Sequence, residues 1–105
     1  MLNPDKDTEL HHKINSETAR LLWAELQRHF AQGTVIFVSP ALDLIDVAVR
    51  ISHDDKASIA AWLAAGTIGK VSDEQAQAWS ESGSALWTSI VHPFILVQQE
   101  KARLN

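Results

Sequence analysis

The segment Leu86–Gln98, LWTSIVHPFILVQ, constrains this chain more than any other part of it. Successive side chains on a strand point to opposite faces. The consecutive apolar residues Ile90-Val91 and Phe94-Ile95-Leu96-Val97 therefore make both faces of such a strand apolar. Pro93 has no N–H to give to a ladder, so it belongs at a bulge, a bend or an edge. A chain with this segment must build a sheet and then cover it. The segment is also shorter, and more interrupted by Thr88, Ser89, His92 and Pro93, than the roughly 20 apolar residues of a membrane-spanning helix. No membrane association is expected.

Upstream, the apolar period is that of a helix. Ala19, Leu22, Trp23, Leu26 and Phe30 follow steps of three and four and place one stripe along it. Gly33 stops the helix as a left-handed cap would. Residues 8–32 could be one helix or two, since Asn15-Ser16-Glu17 offers an internal start. The period then changes. Thr34–Val38 is β-branched and aromatic and ends at Ser39-Pro40, which reads as a short strand and a turn. Residues 46–51 alternate, with Val47, Val49 and Ile51 on one side and Asp46, Ala48 and Arg50 on the other, which predicts a second strand. A parallel crossover needs a dozen residues or more, so the short link between them predicts an antiparallel hairpin.

Two helices follow. An aspartate of the pair Asp54-Asp55 caps the first, whose apolar positions are Ile59, Trp62 and Leu63 and whose stop is Gly66. Ser72 with Gln75 three residues on is a capping-box pattern for the second, which Gly83 ends. The expected fold is α+β: a small, mainly antiparallel three-stranded sheet with helices packed on one face, in the order α(α)-β-β-α-α-β. It is expected to be a single domain over residues 1–105, with a loose arm at 1–7 and a polar tail at 99–105.

Composition narrows the function. With 105 residues there is room for one core and not for two domains. There is no cysteine, which excludes disulfides, thiolate metal sites and cysteine nucleophiles. The net charge is −4 and the Lys and Arg residues are scattered, which disfavours nucleic acid; a local patch near Arg20 and Arg28 is all that argues for it. The N-terminus is polar and carries no secretory signal pattern, so a cytoplasmic location is expected.

Some of these stretches have a counterpart elsewhere. Trp23-x-Glu25-Leu26-Gln27, the turn Ser39-Pro40-Ala41-Leu42-Asp43-Leu44, and Asp54-Asp55-Lys56 leading to Ala61-Trp62-Leu63-Ala64-Ala65-Gly66 are three of them. Ser72-Asp73-Glu74-Gln75-Ala76 is a fourth, and Leu86-Trp87 ahead of Pro93 and Leu96-Val97-Gln98 completes the set. Together they resemble a family of short bacterial proteins known as domain of unknown function 2288. The resemblance spans about residues 8–98. It implies a bacterial protein and supplies no catalytic residue.

Candidate chemistry is sparse. His29, His53 and His92 fall on three different predicted elements. They could converge with Asp54 or Asp55 in a His/carboxylate metal site, and His53, Asp54 and His92 are the candidates for a metal-dependent or small-molecule enzyme pocket, though no spacing requires it. Asp54-Asp55 is explained by its position at a helix start. No serine stands in a nucleophile motif, and Gly66-x-x-Gly69-Lys70 lacks the first half of a phosphate loop. No cofactor is expected, and catalysis by a known motif has no support. Large apolar groups on small elements are more telling. Trp79 lies on a short alanine-rich helix and Trp87 opens the last strand; with Ile95 they are the candidate interface residues. A three-stranded sheet with helices on one face leaves the other face of 86–97 to be covered, either by a second copy of the chain or by the N-terminal helix. The expected role is thus non-catalytic binding, as a homodimer or as an accessory subunit of a protein partner.

Overall fold

The computed structural model describes residues 4–99. The elements are α1 (Pro4–Glu17), β1 (Ala19–Leu22), α2 (Trp23–Ala31), β2 (Val35–Val38), α3 (Leu44–Ser52), α4 (Lys56–Ala65), β3 (Ile68–Lys70), α5 (Asp73–Ser82), β4 (Ala85–Val91) and β5 (Phe94–Gln98). Of the arm expected at 1–7, residues 4–7 are helical, and residues 1–3 lie outside the described ones, as do 100–105 of the expected tail. No helix among the described residues is long and apolar enough to cross a membrane.

The α+β class holds, but the sheet is five-stranded and mixed rather than three-stranded and mainly antiparallel. Its order is β1-β4-β5-β2-β3. β5 pairs antiparallel with β4 and parallel with β2, in the registers Ser89↔Leu96 and Ile36↔Leu96. β1 and β3 are the edges, pairing antiparallel with β4 and β2. The segment 86–98 is therefore two strands folded back at His92-Pro93, and proline takes the turn, where no ladder bond is asked of it.

Helices cover both faces of this sheet, not one. Val38, Leu96 and Val91 pack with Ile14 of α1 and with Leu44, Val47 and Ala48 of α3. Val35, Ile95, Val97 and Leu86 pack on the opposite side with Trp23 and Leu26 of α2 and Ala76 and Trp79 of α5. Alternate residues of β5 thus enter two separate cores, which is how a strand apolar on both faces is accommodated. The second core is aromatic: the Trp23 ring meets Trp79 edge-on at 5.2 Å and Phe30 at 5.5 Å.

The expected hairpin over 34–51 is overturned, because 44–52 is helix α3. Asp43 is its N-cap and accepts from the N–H groups of Ile45 and Asp46. From that cap, Leu44, Val47, Ala48 and Ile51 fall at i, i+3, i+4 and i+7, an apolar stripe that meets the sheet. Short β-branched alternations fit either period, and here the cap and the packing decide. Residues 8–32 divide around β1, with α1 before it and α2 after it. Other local readings hold: Asp55 caps α4, Ser72 and Gln75 form a reciprocal capping box on α5, and Gly66 and Gly83 end those helices in left-handed conformations.

Candidate ligand-binding cleft

β2 and β5 run parallel, so both deliver their carboxyl ends to one edge of the molecule. There the chain leaves β2 through Ser39–Asp43 and enters α3. A cleft of about 340 Å³ opens at this point, lined by Thr18, Leu42, Asp43, Leu44, Ile45, Trp87 and Gln98. Its size falls within the range of small-molecule sites. Three of its features come from the sheet itself. Trp87 of β4 pairs with Arg20 on β1 and with Gln98 on β5, so the three side chains form one row across the strands. The Arg20 guanidinium lies 5.8 Å from the centre of the Trp87 ring, a cation–π contact. Trp87 remains 38% exposed, enough to present ring surface to an occupant.

Gln98 is the most constrained group of the cleft. It is only 8% exposed. Its Nε2 donates to the carbonyl of Ser39 at 2.9 Å and to that of Leu42 at 2.7 Å, tying the β2–α3 loop to the end of β5. Two carbonyl acceptors require the NH₂ group on that side, which fixes the amide orientation and leaves Oε1 as an acceptor on the other. Among the described residues no buried side-chain polar atom lacks a hydrogen bond. Oε1 takes no hydrogen bond among the described residues, so it keeps some contact with solvent, and Gln98 is one of the residues that line the cleft.

The other polar side chains are also largely acceptors. Asp43 commits Oδ1 to the α3 cap, and among the described residues its second oxygen takes no hydrogen bond. The Thr18 hydroxyl donates to the Ile14 carbonyl at 2.6 Å and so presents lone pairs. Thr18 and Gln98 spend their side-chain donors on backbone carbonyls, which leaves the Trp87 indole N–H as the uncommitted side-chain donor among the described lining residues. Leu42, Leu44 and Ile45 supply an apolar wall.

The residues singled out from the sequence are dispersed. Trp87 lies in the cleft. Trp79, at 5% exposure, and Ile95, at 7%, are buried in the second core, so neither can present an interface in the folded chain. Their burial follows from the two-sided helix cover that sequence periodicity did not show. His53 caps the C-terminus of α3 and Asp54 follows it in a left-handed conformation, with its carboxylate 4.0 Å from Lys56 Nζ. His92 sits in the β4–β5 turn and lines a different hollow of about 330 Å³ with Lys13, Glu17, Ser52 and Ile90 among others. Neither His53 nor Asp54 lines that hollow, and no three His, Asp or Glu side chains among the described residues are grouped to hold a metal ion.

Asp55, next to Asp54, has a displaced titration. The Ser58 N–H and hydroxyl, then Arg50, hold it below the usual carboxylate value, and each bond stabilises the α4 start. Gln98 was missed in the sequence because it borders a polar tail. Its role depends on pairing with Trp87 and on a loop far away in the chain.

Comparison with known proteins bears on the whole of this arrangement. The family model described as Protein of unknown function (DUF2288) matches residues 9–99. An NMR solution structure of PA1075 from Pseudomonas aeruginosa is similar, with 40% sequence identity, a TM-score of 0.80 and coverage of 92% of each chain. No curated protein matches.

Proposed function

We propose, for a chain that belongs to the DUF2288 family of proteins of unknown function, a non-catalytic binding role in the cytoplasm, with the Trp87 cleft as the contact site. One observation carries this reading: a partly exposed indole and an amide of fixed orientation line the same cleft. Fixed recognition groups beside apolar wall are what a binding site needs. Acid–base or nucleophilic catalysis asks for a titratable pair or an activated nucleophile. The lining offers a single carboxylate already engaged as a helix cap and a hydroxyl turned to a backbone carbonyl.

The test is a small-fragment screen on the full chain, read by ¹H–¹⁵N correlation spectra. Hits should converge on Thr18, Leu42–Ile45, Trp87 and Gln98. Scattered shifts, or shifts gathered at the His92 hollow, would discard the reading.

Pairing with a second copy of the chain is the second reading. It is favoured by the exposure of Leu22, Trp87, Ile90 and Phe94 on strands β1, β4 and β5. Sedimentation equilibrium at micromolar concentration separates the two, since a strict monomer leaves only the ligand-binding form.

A further inference from the structure

Resting on the binding role of the Trp87 cleft, we infer that its ligand is a small organic cation: a protonated amine or guanidinium with N–H donors and a short alkyl body. Three independent features of the cleft agree on this chemistry. The first is hydrogen-bond polarity. Gln98, in the lining, has only an acceptor left to offer and cannot reverse, because both amide hydrogens are held by the carbonyls of Ser39 and Leu42. The second oxygen of Asp43 and the lone pairs of Thr18 add acceptors, against one uncommitted side-chain donor among the described lining residues, the Trp87 indole. A ligand that brings several donors satisfies this set, and one that brings acceptors does not.

The second feature is charge. Among the described residues, Asp43 is the only formally charged one in the lining. The positive end of α3 also points here, yet Asp43 as cap and Asp46 in the first turn offset it. The third is the ring. Arg20 already rests over Trp87, which shows that this indole draws a guanidinium. An arriving cation therefore competes with Arg20 for that ring. Leu42, Leu44 and Ile45 provide a surface for an alkyl body, and the volume suits a small molecule better than a folded partner.

The experiment titrates the full chain with n-butylammonium and n-butylguanidinium, following the Trp87 indole and the Asp43 and Gln98 amide signals. Butanol, butyrate and n-butyltrimethylammonium serve as comparison probes, the last carrying the charge without N–H groups. Both N–H cations should move these signals, and butyltrimethylammonium should bind roughly threefold to fivefold more weakly. Asp43→Asn keeps a competent cap and removes the charge, so it should weaken binding by about fivefold. Arg20→Ala should tighten binding, whereas at an anion site it would loosen it. Butanol matching the cations, or butyrate preferred to them, overturns the inference while leaving the cleft as a binding site. An arginine-containing tetrapeptide binding more than tenfold tighter than butylguanidinium overturns the small-molecule form in favour of a protein partner. Absence of shifts with every probe, together with a fragment screen that avoids the cleft, removes both readings.

Discussion

Replacing Gln98 tests the tie between the β2–α3 loop and the sheet. In Gln98→Leu the two bonds from Nε2, at 2.9 and 2.7 Å, disappear. A protein hydrogen bond contributes about 1 kcal/mol net, so the pair contributes about 2 kcal/mol. The Ser39 carbonyl keeps its other donor, the Leu42 N–H at 3.0 Å, while the Leu42 carbonyl loses the Gln98 amide. The predicted loss is thus about 2 kcal/mol, or about 10 °C in melting temperature for a domain of this size. That is survivable against a typical total of roughly 5–15 kcal/mol.

Gln98→Glu adds a pH signature. The introduced carboxylate faces two carbonyl oxygens in a mostly buried place, so the folded state favours the neutral acid. Its folded pKa is raised above the ordinary glutamate value of about 4.3. The stabilisation is therefore fully present below that value and is lost as pH rises through the raised one. Urea unfolding of wild type, Gln98→Leu and Gln98→Glu from pH 4 to 8 provides the readout. Gln98→Glu should be less stable than Gln98→Leu at pH 7 and should recover about 1 kcal/mol relative to it on acidification, as the protonated acid donates to one carbonyl. If Gln98→Leu stays within about 0.5 kcal/mol of wild type, or Gln98→Glu runs parallel to it at every pH, the amide does not hold the loop.

Two further predictions concern residues outside the loop. Trp79→Ala removes the edge contact with Trp23 and empties part of the second core, and should lower stability by about 3–5 kcal/mol in urea titrations; Trp87→Ala should lose no more than about 2 kcal/mol, because much of that ring is already in solvent. The reverse order would contradict the assignment of the first tryptophan to the core and the second to the cleft. Asp55 is held below its ordinary carboxylate value by Ser58 and Arg50, so its contribution is present above that value and lost as pH falls through the lower folded one. Asp55→Asn should flatten the acid limb of the stability curve below about pH 4, and an unchanged limb would show that the bonds to Ser58 and Arg50 carry no net stabilisation.

Much of the local grammar was legible. Ser72 with Gln75, Asp55 before Ser58, and the glycines at 66 and 83 act through contacts with near neighbours, so sequence alone locates those helix ends. The stripe from Trp23 to Phe30 and the short strand at 35–38 were visible for the same reason. What failed depends on distant pairing. Val47, Val49 and Ile51 suit a strand by propensity, and only the Asp43 cap and the sheet beneath them make a helix. β1 and β3 are too short and too exposed to show a period, and exist because β4 and β2 offer them an edge. The need to cover both faces of 86–97 was legible, with the N-terminal helix as one candidate cover, but not which helices serve which face, because that requires α2 and α5 to reach one side while α1 and α3 reach the other. In the cleft, Trp87 was legible as a large apolar residue on an outlying strand. Gln98 was not, since nothing near it in sequence reveals the carbonyls it binds.

The central place of β5 has a consequence for cooperativity. Hydrogen-bonded to β4 on one flank and to β2 on the other, it is the sole bridge between the β1–β4 pair and the β2–β3 pair among the described residues. Neither pair can be retained in a partly open form once this bridge detaches, because each then bares the side that β5 had sealed. Amide exchange at Ile95, Leu96 and Val97 should therefore report whole-molecule opening and no smaller event. Fragments cut upstream of Phe94 should regain the native state only when a peptide carrying residues 94–98 is returned to them.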